Sequence, residues 1–182
     1  MRNNNSIVAV DRMLEYLQKR SQDRGLMADV RAGLRQSTQA ASWPVIAMFC
    51  DLTKVPDALV YQMIAGLYAM HPIVCSNQSM GGLCRSLCDT DEGAVLDDEA
   101  NISKGVKEGP ISRRFRRLLD ADRSEICDLV ANIVMLAKSK GRPVDYSTLA
   151  KDILRWGEAV KRKWAQDFWG DLSNSMQVGD AQ

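Results

Sequence analysis

Between Arg113 and Arg117 the sequence places four arginines in five positions, RRFRR, with Phe115 alone among them. Guanidinium groups do not exchange protons near neutral pH; they hold phosphate or carboxylate through paired, planar N–H donors. The chemistry on offer is therefore anion recognition. At about 100° per residue, Arg113, Arg114, Arg116 and Arg117 share one face of a helix, while Ile111, Phe115, Leu118 and Leu119 share the other. Only Asp120 is near the arginine face, so the helix leaves that charge largely uncompensated, and like charges at this spacing repel. An external polyanion relieves the repulsion; a solvated charged face is the bland alternative.

A second basic stretch follows in YSTLAKDILRWGEAVKRKW. If one helix runs through Gly157, then Lys151, Arg155 and Arg162 fall on one side, and Leu149, Ile153, Trp156, Val160, Trp164 and Phe168 fall on the other. Lys161 and Lys163 flank that stripe. Trp156, Trp164 and Phe168 read as core, which leaves Trp169 as the exposed candidate for stacking on a base. Earlier in the chain, Arg31 and Arg35 lie four apart in MADVRAGLRQ. Lys138 and Lys140 have a plainer role, since cations favour a helix C-terminus. Contacts of this kind give affinity and salt dependence without reading base sequence.

Catalytic groups are scarce. The single histidine, His71, precedes Pro72, and the chain carries no GxSxG, HExxH, P-loop or paired-carboxylate signature. DTDEGAVLDDE does not match a calcium loop, and His71, Cys75, Cys84 and Cys88 lack the short chelating spacing of a zinc site. No catalytic residue, metal or cofactor is expected. Five scattered cysteines without a CxxC pair, behind an N-terminus reading MRNNNS, point to reduced thiols in a cytoplasm. The longest uncharged run, 58–84, is broken by His71-Pro72; its helical part is about thirteen residues where a membrane span needs about 20.

The elements that must position the arginines are all helical. Apolar residues at three- and four-residue steps mark a first helix over 7–17; Pro44 opens one through VIAMFCDL and Pro56 another through DALVYQMIAGLYAM. GLCRSLC permits a short helix. Asp122 caps a helix that Gly141 stops, and Asp145 or Ser147 caps the next. No strand-like alternation of useful length is present, so the expected fold is all-α. The net charge is only +1, but residues 89–101 hold six acids and no base, whereas 104–163 hold fifteen Lys or Arg against eight Asp or Glu. This composition shift, with its glycines, suggests two small helical bundles, 1–100 with the acidic linker and 101–182 with the basic surface.

ISRRFRRLLDADRSE, then LAKSKGRPVDYSTLAKDILRW and KRKWAQDFWG, resemble the small subunit of the type I-E CRISPR surveillance complex, the CasB family of Cascade. The likeness is specific over about the last seventy residues and looser before them. It implies an all-α, non-catalytic protein, paired head to tail with a second copy beside the large and backbone subunits. There it would contact guide RNA and target DNA, including the displaced strand. By position, the family's basic surface maps to Arg113, Arg114 and Arg123, to Lys151, Arg155, Lys161 and Arg162, and to Arg31 and Arg35. The sequence departs from the family at Asp120 and in its acidic insert.

Two other readings compete. DYSTLAKDILRWGEAVKRKW suits a helix-turn-helix regulator whose basic helix enters a major groove. A pure scaffold would instead dock acidic protein on the same basic faces.

Overall fold

The computed structural model describes residues 3–88 and 109–170; the acidic run and most of the linker expected around it lie outside them. The described residues form nine α-helices and one 3-10 turn. They are α1 (Asn3–Lys19), α2 (Arg24–Ala32), a 3-10 turn (Gln39–Ser42), α3 (Trp43–Ile46), α4 (Val55–Met70), α5 (Met80–Leu87), α6 (Pro110–Asp120), α7 (Ile126–Ser139), α8 (Tyr146–Leu154) and α9 (Glu158–Trp169). Their only β pairing is an isolated parallel bridge between Val74 and Val144. The all-α expectation holds.

The fold is organised around α4, which is buried without interruption from Val60 to Ala69. A helix that is apolar all round must be covered on every side. Here α1, α2, α3, α7 and α8 supply the cover. Its one interior amide, Gln62, donates from Nε2 to the Gly33 carbonyl at 2.6 Å, which satisfies the polar group in place.

Around it, α5 packs on α6, α7 and α9. At the crossing with α9, Gly81 lies so close to the Trp164 backbone that a Cβ would overlap the Trp164 carbonyl. The absence of a side chain allows that approach. Just past the C-terminal end of α4, His71 is tied to the α7–α8 loop and to the start of α8. His71 donates from Nε2 to the Arg142 carbonyl at 2.7 Å, and the Tyr146 hydroxyl donates to the His71 carbonyl at 2.7 Å. The lone histidine is a buried link in the fold.

Several termini follow the sequence signals. The Asp145 side chain accepts from Thr148 N at 2.9 Å and caps α8, settling the choice between Asp145 and Ser147. At the end of α7, Gly141 adopts φ +64 while Gly141 N and Arg142 N reach back to the Lys138 and Ala137 carbonyls, a Schellman arrangement.

Three expectations need correction. The helix opened by Pro44 is one turn, Trp43–Ile46, and does not run through VIAMFCDL. The α2 helix stops at Ala32, with Gly33 packed closely on Ser42 and Gln62 just beyond it, and Arg35 lies past the helix end, off the face that carries Arg31. The chain does not run helically through Gly157, which is extended (φ 169, ψ −177), so α8 and α9 are separate and Lys151 and Arg162 share no helix face.

Candidate nucleic-acid interface

The α6 helix begins at Pro110 and buries Ile111, Phe115 and Leu118. Phe115 is fully inaccessible, stacked on Phe168 of α9 at 4.3 Å between ring centres. With that side fixed, Arg113, Arg114, Arg116 and Arg117 are exposed together. Among the described residues, Arg113, Arg114 and Arg117 meet no ion-pair or side-chain hydrogen-bond partner. The Arg116 guanidinium lies over the Trp169 ring, 5.5 Å from its centre.

The remaining basic residues divide by what they touch. Arg155, just after α8, and Arg162, in α9, are exposed and have no side-chain partner among the described residues, and the same is true of Arg35. Lys161 sits over the Trp156 ring at 5.4 Å. Arg31 donates from Nε to the Ala69 carbonyl at 2.9 Å, closing the last turn of α4. Arg123 bridges Asp57 of α4 at 3.1 Å and the Leu154 carbonyl at 3.3 Å. Lys151 pairs with Asp11 of α1 at 2.9 Å and donates to Ser147 Oγ at 2.7 Å. Those three cations hold helices together, which leaves the four arginines of α6, with Arg35, Arg155 and Arg162, as the exposed candidates from the sequence.

The turn after α6 is built by Asp122. Its carboxylate accepts from the Ser124 hydroxyl and from the Ser124 and Glu125 backbone N–H groups. Those bonds, the Ser124 hydroxyl first, hold its carboxyl below the usual carboxylate range. Asp122 thereby shapes the turn before α7, but that helix starts after Glu125 without a side-chain cap, so the expected Asp122 cap is not made.

Sequence reasoning missed the meeting of Arg116 with Trp169, which comes from the packing of α6 on α9 and leaves no local signal. Trp169 is only half-buried, its ring edge-on to Phe168 at 5.0 Å and to Phe115 at 5.3 Å. Among the described residues, no group of three or more His, Cys, Asp or Glu could hold a metal ion, and no helix is long and apolar enough to cross a membrane.

The family model for CRISPR-associated protein Cse2 matches residues 26–169, from α2 to the end of α9. The chain belongs to the Cse2 family. The resemblance to CasB carried by RRFRRLL, PVDY and the DFW ending therefore stands. Solved Cse2-family folds agree. CasB from Thermus thermophilus is 19% identical and superposes with a TM-score of 0.65 over 88% of this chain and 97% of that one. M. ruber CasB is 22% identical, with a TM-score of 0.67 over 94% and 98%. No curated protein matches by sequence. At these identities the two structures establish the Cse2 fold, and the matched span includes Arg31, α6 and both C-terminal helices.

Proposed function

We propose that this Cse2-family chain is a non-catalytic subunit of a type I-E CRISPR effector. Its α6 face holds nucleic-acid backbone, stabilising the strands exchanged between guide RNA and target DNA and the displaced strand. The observation that carries the reading is the set of exposed, uncompensated guanidinium groups at Arg113, Arg114 and Arg117, turned outward by the buried Ile111, Phe115 and Leu118. Base pairing supplies sequence specificity in such complexes, and protein contacts to the backbone tip a nearly balanced strand exchange. A basic surface without base-reading groups suits that task. Arg155, Arg162, Lys161 and Arg35 would extend it, and the large subunit, backbone subunits and a second copy are the expected protein partners.

The test is target binding by the assembled complex carrying R113Q, R114Q and R117Q together. Each phosphate contact contributes roughly 0.7 to 0.9 to the slope of log affinity against log salt, so losing three should flatten it by about 2 to 3. Assembly should persist. An unchanged slope overturns the reading, and strong preference of the chain for one duplex over a scrambled one would favour the helix-turn-helix regulator instead.

A further inference from the structure

Resting on the reading above, we propose that Arg116, backed by Trp169, stacks an unpaired base. The α6 face then takes single-stranded nucleic acid, with its phosphates on Arg113 and Arg117. On the helix wheel Arg113 and Arg117 are central to the arginine face, and Arg116 lies at the edge nearest α9. There its guanidinium covers the indole at 5.5 Å, while its own residue stays exposed. A guanidinium plane carries a base on one face as readily as an aromatic ring does, and Arg-aromatic pairs recur where unstacked bases are held.

The indole beneath is fixed before any strand arrives. Trp169 is held edge-on by Phe168 at 88° and by Phe115 at 66°, and Phe115 is itself stacked on Phe168. This cluster lowers the ordering cost that a flexible arginine on an open surface would incur on binding. Other tryptophans lack the combination. Trp164 is fully buried, and Trp156 is bonded through Nε1 to the Ala121 carbonyl with Lys161 over its ring. Trp43 is exposed, but it borders an apolar hollow lined by Leu52, Val55 and Leu59. Only Trp169 joins an aromatic ring to the arginine face.

The experiment compares two labelled strands of equal length and charge by fluorescence anisotropy with the intact chain: a thymidine oligonucleotide and an abasic deoxyribose-phosphate strand. Stacking of one base predicts that the thymidine strand binds about five- to 150-fold tighter. R116K keeps the charge but removes the plane, and should bring the ratio of the two affinities towards one. Equal binding of both strands by the wild type overturns this inference while leaving the phosphate reading intact. A fall of both affinities in R116K with the ratio preserved also overturns it, since Arg116 would then be a phosphate contact. Binding of neither strand overturns both readings.

Discussion

Phe115→Ala tests the idea that the arginine face exists because one ring anchors it. The α6 helix has eleven residues, no side-chain cap at Gly109, and four cations repelling one another on one side. Isolated helices shorter than about 12–15 residues are marginal in water even with favourable sequences. Tertiary burial must therefore hold α6, and Phe115 contributes the largest buried side chain, stacked on Phe168 and edge-on to Trp169. Truncating a buried Phe to Ala costs about 3–5 kcal/mol. A value near 4 lowers Tm by roughly 8–16 °C for a chain of this size. Urea unfolding followed by circular dichroism should show the midpoint falling with the slope nearly unchanged. A cycle with Phe168→Ala should give a coupling of about 0.5–1.5 kcal/mol for the ring pair. Hydrogen exchange in the mutant should rise first in α6. A loss below about 1 kcal/mol, or unchanged α6 protection, would refute the anchor.

Gly81→Ala should destabilise the chain by about 1–3 kcal/mol, because the new Cβ forces the α5 and α9 backbones apart at Trp164; thermal melting checks it, and an unchanged Tm counts against the crossing as described. Burial, with help from neighbouring aspartates, pushes the Cys50 and Cys127 thiols up to about 11. Their alkylation by iodoacetamide, resolved by mass spectrometry, should climb about tenfold per pH unit from 8 to 10 without levelling. A plateau near pH 9 would contradict that environment. Because the folded values exceed the ordinary thiol value of 9.0, the associated stability is present below about pH 9 and is lost as pH rises towards 11.

What could be read from the sequence was local. The three- and four-residue spacing of α1, the Asp145 cap, the Gly141 stop and the inward turn of Phe115 each depend on residues within a turn or two. The fate of individual cations was not legible, because their partners are distant along the chain. Arg31 meets Ala69, Arg123 meets Asp57, and Lys151 meets Asp11, which lies near the other end of the chain. Each looked like free surface charge and is a strut between helices. The same holds for the close packing of Gly33 on Ser42 and Gln62, which depends on where α4 lies.

The covering of α4 by α8 has a consequence for synthesis. Because α4 ends at Met70 and α8 at Leu154, the ribosome finishes an apolar helix well before part of its cover exists. At about 5–20 residues per second the wait is roughly 4–17 s. During that interval Leu67 and Tyr68 cannot meet Tyr146, and the ties from Ser147 and Lys151 to Asp11 cannot form. A nascent chain stalled before residue 146 should therefore engage chaperones, whereas one extended past α9 can shed them.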